Sequence, residues 1–247
     1  MSRDPSRRRF LARASTTALL GGLAGCARSP TPVPIDQTAT DRTEDEVQSP
    51  TFGTRGVLAE PGPMLPPVPA VLVTANGRPG DPDEVSVLWS FVVNGDPPQI
   101  GVSAGEEHIV GDLIQLHGAF VLNVPTANLV EQFDRVDMNS SRVGDKFALA
   151  GLTRGHALTV DAPTVEEAPI HLECRVIDRL EVPPVRTVFI AEVVATTALE
   201  GAVDANGRLV VPNVPFFGMT AGSGEHWTMG REVGHIGMSV GRDDIKY

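Results

Sequence analysis

The feature that most limits what this chain can fold into is the run Ile170–Val182, in which apolar and polar side chains alternate. Ile170, Leu172, Cys174, Val176, Leu180 and Val182 fall on one face of an extended chain, and His171, Glu173, Arg175, Arg179 and Glu181 fall on the other. A period of two marks a strand with one buried face, and a strand this long needs partners along both edges. Short apolar runs at residues 71–74, 85–93, 100–103, 120–124, 188–197 and 209–211 are the candidate partners. Three Asn-Gly pairs, at Asn76-Gly77, Asn94-Gly95 and Asn206-Gly207, separate such runs. Both residues tolerate positive φ, so each pair favours a two-residue hairpin turn. Cys174 is then a core residue, an inert thiol away from basic groups.

Helical spacing is rarer. Residues 106–117 place Ile109, Val110, Leu113 and Ile114 along one stripe, with Glu106 and Glu107 at the positive end. Shorter helices are expected over 127–133 and over 142–150, the second stopping at Gly151. Many strands, few helices and no regular strand–helix alternation indicate a mainly β protein, a closed or nearly closed antiparallel barrel with peripheral helices.

Charge divides the chain before the strands begin. The first 25 residues carry Arg3, Arg7, Arg8, Arg9 and Arg13 against Asp4 alone, so their loss takes the net charge from -11 to -15. A basic start, a mild apolar stretch and then small residues form the layout of an export signal. Within it, Ser6-Arg7-Arg8-Arg9-Phe10-Leu11 resembles the twin-arginine export motif, and Leu23-Ala24-Gly25-Cys26 resembles a lipobox. Diacylation of Cys26 would hold the protein on the outer membrane face without spanning it. Cys174 would then have no partner, and no disulfide is expected. Residues 27–67, rich in Pro, Thr, Ser and acids, bury too little to fold and read as a tether. The folded domain is expected over 68–247.

Several function classes drop out. No run approaches the roughly 18 to 20 apolar residues of a spanning helix, and an acidic chain lacks the clustered cations that nucleic acid requires. The six histidines are scattered and no metal-ligand spacing occurs. Phosphate-loop and dinucleotide glycine fingerprints are missing. Gly101-Val102-Ser103-Ala104-Gly105 fits the G-x-S-x-G elbow that lifts a serine nucleophile between a strand and a helix. In an antiparallel context a Gly-bracketed strand end explains it as well. His171 reads as a partner of Glu173 or Arg175 as readily as a ligand.

Five blocks in order carry a family resemblance. They are Val85-Ser86-Val87-Leu88-Trp89 with Asp96-Pro97-Pro98, the Gly118 to Pro125 run, Asp145-Lys146-Phe147 with Ala150-Gly151-Leu152, His171-Leu172-Glu173-Cys174, and Phe189-Ile190-Ala191-Glu192-Val193. Together they resemble the flavin reductase-like domain with its FMN-binding split barrel. The resemblance implies a six-stranded antiparallel barrel that dimerises and holds FMN near the subunit boundary. The cofactor contacts it implies are Ser86, Val87, Leu88, Trp89, Ser103, His108 and Lys146. An isoalloxazine ring needs a flat slot with donors and acceptors, and its phosphate needs hydroxyls and a cation. Lys146 is one of two lysines, the other being Lys246.

The chain departs from the family pattern at three places. Asp83 stands where Asn is usual, His108 and Val110 stand where an Arg-x-Thr contact is frequent, and Pro184-Val185-Arg186 stand where NADH-using members have Gly-Asp-His. Glu106 and Glu107 would repel a phosphate at the helix start. The leading expectation is an exported FMN oxidoreductase with electron donor and acceptor unassigned and no residue nominated as acid or base. A non-catalytic flavin-binding lipoprotein is the alternative, and a hydrolase using Ser103 is third.

Overall fold

In the computed structural model, residues 60–241 are described; the export signal, Cys26, most of the proline-rich segment and Lys246 lie outside them. From Gly62 onward the chain forms one compact unit, which holds every element described below. Its strands are β1 (Val68–Pro69), β2 (Leu72–Ala75), β3 (Glu84–Val87), β4 (Trp89–Gly95), β5 (Pro98–Gly105), β6 (Ala119–Val124), β7 (Arg154–His156), β8 (Pro163–Val165), β9 (Ile170–Val182), β10 (Arg186–Ala198), β11 (Phe217–Met219) and β12 (His226–Thr228). Three helices accompany them: α1 (Ile109–His117), α2 (Val130–Met138) and α3 (Lys146–Ala150).

Seven strands form one antiparallel sheet in the order β3-β2-β6-β9-β10-β5-β4. Its two edge strands, β3 and β4, are separated in sequence by Leu88 alone. A flat sheet would place them many strand widths apart, at nearly 5 Å per strand, so one residue joins them only because the sheet curls shut. Counting β3 and β4 as a single bent strand gives the six-stranded barrel that the sequence led us to expect.

The barrel interior is filled by Val71, Val73, Leu88, Val102, Phe120 and Phe189 among others, with Val110, Leu113 and Ile114 of α1 packed against them. A second core lies on the other side of β2 and β3, where Leu72, Val85 and Val87 meet Phe133 and Val136 of α2 and Phe147 of α3. Strand β2 is therefore buried on both faces.

Several expectations are corrected. Residues 76–83 form an eight-residue connection between β2 and β3, so Asn76-Gly77 is no hairpin turn. The β4–β5 turn falls at Asp96-Pro97, two residues beyond Asn94-Gly95, because Gly95 still pairs with Pro98. Asn206-Gly207 does lie in a tight turn, closed by Gly207 N donating to Asp204 O, with φ +75° at the glycine. Residues 209–211 make only an isolated bridge from Leu209 to Val203 and then enter a 3-10 turn, since Pro212 has no amide proton to extend a ladder. The first helix starts at Ile109 rather than 106, because His108 N bonds back to Gly105 O in a turn. The third is split by Gly144 into a 3-10 turn and α3, whose cap is Asp145, accepting from Phe147 N at 3.0 Å.

Strand β9 also breaks its own pattern. Its ladder with β10 slips between Val176 and Asp178, and beyond the slip Leu180 and Val182 are exposed. On the polar face Glu173 is 1% exposed. Its carboxylate accepts from the amides of Leu158, Thr159 and Val160 and from Thr159 Oγ1, at 2.6 to 3.2 Å. Burial raises its pKa, but these four bonds outweigh burial and hold it below its ordinary value of 4.5. Cys174 is a buried free thiol whose pKa is pushed up to about 12 by burial. The His171 ring hydrogen-bonds to Thr197 Oγ1 at 3.1 Å and Val165 O at 2.9 Å rather than to Glu173 or Arg175.

The carboxylate clasp predicts that Glu173→Gln lowers unfolding stability by about 1–3 kcal/mol at pH 7, because three consecutive amides, that of Val160 buried, lose a charged acceptor. A depressed pKa contributes stability above the unfolded value and loses it as pH falls through the folded one. Urea unfolding of both proteins at several pH values should show the difference shrinking as pH drops below 4.5.

Candidate functional site

The polar groups of interest gather where edge strand β3 meets α3. Lys146, in the first turn of α3, is 5% exposed, and its ammonium lies 3.5 Å from Glu84 Oε1 and donates to Ser86 Oγ at 3.4 Å. Glu84 Oε1 is a hub. It also accepts from Ser86 Oγ at 3.0 Å and from Ser141 Oγ at 2.5 Å, which pins the Ser141–Val143 turn to the barrel edge. A neighbouring cluster fixes the α3 cap: Arg154 contacts Asp145 at 2.5 Å and Asp83 at 3.6 Å, and its guanidinium lies 4.3 Å above the Phe147 ring. The Arg154 hydrogen bond leads the causes that hold the Asp145 carboxyl below its usual range.

Lys146 opens onto a cavity of about 240 Å³, walled by Val87, Glu107, His108, Asp137 and Ser141. Burial lowers the Lys146 pKa, and Glu84 partly restores it. Burial likewise raises that of Asp137, against the opposing charges of His108 and Lys146. His108 Nδ1 is a buried atom with no hydrogen-bond partner; Glu107 Oε1 approaches it to 3.1 Å without hydrogen-bonding geometry. A second cavity of about 300 Å³ lies on the other side of His108, between α1 and the β9–β10 turn, with Glu106, Asp112, Glu181, Arg186 and Phe189 in its walls.

The seven cofactor contacts implied by resemblance are thus distributed over three environments. Val87, His108 and Lys146 line the smaller cavity, and Ser86 stands directly behind Lys146. The Leu88 side chain points into the barrel core, which leaves only its backbone for a ligand. Trp89 and Ser103 are register partners outside that cavity; Arg186 stacks 4.3 Å from the Trp89 ring and donates to Ser103 O at 3.3 Å. Sequence reading missed Glu84, Ser141 and Asp137. An isolated acid before a strand and a serine in a polar loop carry no signal until the fold joins them.

The serine elbow is not built. Residues 101–105 lie inside β5, paired with β4 and β10, so Ser103 sits on no turn. Both glycines have packing reasons: a Cβ at Gly101 would strike the Phe91 ring at 2.3 Å, and one at Gly105 would strike the Glu107 carboxylate at 2.2 Å.

A buried pair broken on one side leaves an uncompensated charge. Lys146→Met is expected to cost about 3–5 kcal/mol of stability by strand-ing a buried carboxylate, and the double variant Glu84→Gln/Lys146→Met should regain most of it. Denaturant unfolding of the wild type, both single variants and the double variant measures the coupling.

The fold has solved counterparts. Flavoredoxin from Methanosarcina acetivorans superposes with a TM-score of 0.68 at 26% identity, covering 76% of this chain and 100% of that one. An FMN-binding domain of a flavin reductases-like enzyme from Shewanella baltica OS155 shares the fold, with a TM-score of 0.57 at 24% identity over 68% of this chain and 88% of that one. In sequence, an uncharacterized protein of Pyrococcus abyssi is 28% identical over 156 residues, 62% of this chain and 84% of the relative. The flavin reductase like domain itself matches residues 66–211, more than half of the chain, and the chain belongs to that family.

Proposed function

We propose that this protein is an FMN-binding oxidoreductase, passing hydride or electrons through the flavin. The observation that carries this reading is a buried ammonium with donor capacity to spare at the edge of a cavity. An ammonium has three donors; Glu84 and Ser86 take two, and the third remains for a ligand. The hydroxyls of Ser86 and Ser141 and the unpartnered His108 Nδ1 add polar groups of the kind a flavin's ring edge and ribityl chain require. These residues fit the cofactor. Bound FMN supplies the electron-accepting ring chemistry.

The chain's own residues bind and orient. Glu84 fixes the Lys146 ammonium, so the cation is in place before any ligand arrives. Val87 and Val136 give the cavity an apolar wall, and the burial of Lys146 strengthens the field of that cation. Family membership and solved relatives described as flavoredoxin and as FMN-binding support the reading.

Two further parts of the proposal rest on other residues. The Arg7-Arg8-Arg9 motif and Cys26 support twin-arginine export and a lipid anchor on the extracytoplasmic membrane face. Export of an already folded protein suits a cofactor loaded in the cytosol. Trp89, Phe91, Val92 and Val93 expose an apolar row along β4, which a second copy of the chain would cover in a homodimer.

Purified protein is expected to show an oxidised-flavin absorption band, or to retain one stoichiometrically after incubation with FMN and removal of the free flavin; a protein that stays colourless after that treatment overturns the reading. Anaerobic bleaching by NADH or NADPH would assign the nicotinamide as donor. For the anchor, Cys26→Ser should move the protein from the membrane fraction to the soluble fraction after cell breakage.

A further inference from the structure

One wall of the smaller cavity is held to the barrel by very little. Residues 139–145 join α2 to α3, and on that side the cavity is bounded by the continuous run from Val136 to Ser141. The rest of the wall comes from β3, α3 and the β5–α1 loop. Within the connection the hydrogen bonds are local: Asn139 Nδ2 donates to Arg135 O at 2.7 Å, Arg142 N to Ser140 Oγ at 3.2 Å and Val143 N to Ser140 O at 3.0 Å. Apolar burial does not replace them, since Val143 is 69% exposed and Arg142 and Gly144 are exposed as well. Among the described residues, the single hydrogen bond from residues 139–144 to the barrel is Ser141 Oγ donating to Glu84 Oε1 at 2.5 Å.

Both ends of that turn have backbone suited to a hinge. Asn139 is extended directly after α2, with φ -103° and ψ 133°, and Gly144 has φ +149° and ψ -169°, a conformation nearly confined to glycine. Beyond the second hinge the chain is fixed again, by Arg154 on Asp145.

The oxygen that holds Ser141 is also the partner of Lys146. A ligand that accepts a bond from the ammonium draws charge away from the pair, and Glu84, 6% exposed, gains little from solvent in return. Its bond from Ser141 then strengthens, because a hydrogen bond to an ionised acceptor is worth more as that charge is left less neutralised. Ligand contact and closure of the turn therefore favour each other.

We infer that Ser141 and Glu84 form a latch: the Ser140–Gly144 turn closes on the cavity when a ligand engages Lys146 and opens when the ligand leaves. Ser141 is thereby a positioning residue, acting through Glu84 on the ammonium. The inference rests on the flavin-binding reading for the identity of the ligand, and adds to it the step that admits and retains the flavin.

Two variants test it by separate routes. Ser141→Ala removes the latch hydroxyl, and Gly144→Ala strains the hinge at a residue outside the cavity wall. In flavin-free protein, acylation of Lys146 by acetic anhydride, read by mass spectrometry against Lys246 as internal standard, should run about tenfold faster in both variants, the worth of one hydrogen bond to a charged group. Stopped-flow flavin fluorescence should show FMN both entering and leaving faster than in wild type, with dissociation rising more than association. A hydroxyl that simply touched the flavin would raise dissociation alone and leave Lys146 as protected as before. Unchanged Lys146 acylation, or faster dissociation with unchanged association in either variant, overturns the inference. If no flavin binds the wild type, the functional reading fails, and the acylation rates alone decide the latch.

Discussion

One residue, Leu88, imposes the geometry on which the rest depends. It alone separates β3 from β4, the opposite edges of a seven-stranded sheet, and its side chain is buried in the barrel core. The chain can make that step only if the sheet closes. Closure in turn bends the strand where the site is built: Glu84 and Ser86 precede the bend, and Trp89 follows it. The hydrophobic effect drives the side chain of Leu88 inward, and the connectivity converts that burial into a barrel.

The polar network at β3 is a second consequence. Strand β3 lies at a sheet edge, so side chains from α3 and the preceding turn can reach groups that a central strand would hide. Lys146, Ser86 and Ser141 converge on one oxygen of Glu84. Burying a lone carboxylate or ammonium costs several kcal/mol, and the pair with its two hydroxyls offsets that cost. The same arrangement holds a cation beside a cavity without letting it wander, a condition for orienting any ligand there. Glu173 illustrates the same physics in a purely structural setting, where a carboxylate replaces missing ladder bonds for three consecutive amides.

The limits of reading the chain residue by residue are visible in particular places. The strand Ile170–Val182 has the bounds expected from its alternation, because hydrophobic periodicity is a local property. The slip after Val176 that exposes Leu180 and Val182 was not legible, since a bulge depends on how β10 lies beside it. Asn76-Gly77 carried a strong turn signal, yet an eight-residue connection formed there, because the spacing of β2 and β3 is set by the cores on both faces of the sheet. Lys146 stood out by its rarity among arginines; Glu84 and Ser141, 57 residues apart, did not.

By itself, then, the order of apolar and polar residues determined a mainly β domain, its long central strand, the stripe of α1 and the buried Cys174, all of which follow from burial acting over neighbouring positions. Only the tertiary structure decided that the sheet closes at Leu88, that Gly101 and Gly105 make room for Phe91 and Glu107 rather than for a serine elbow, and that Glu84 and Lys146 share a buried pair. These are contacts between distant segments, and their energies depend on distance and burial that no local pattern encodes.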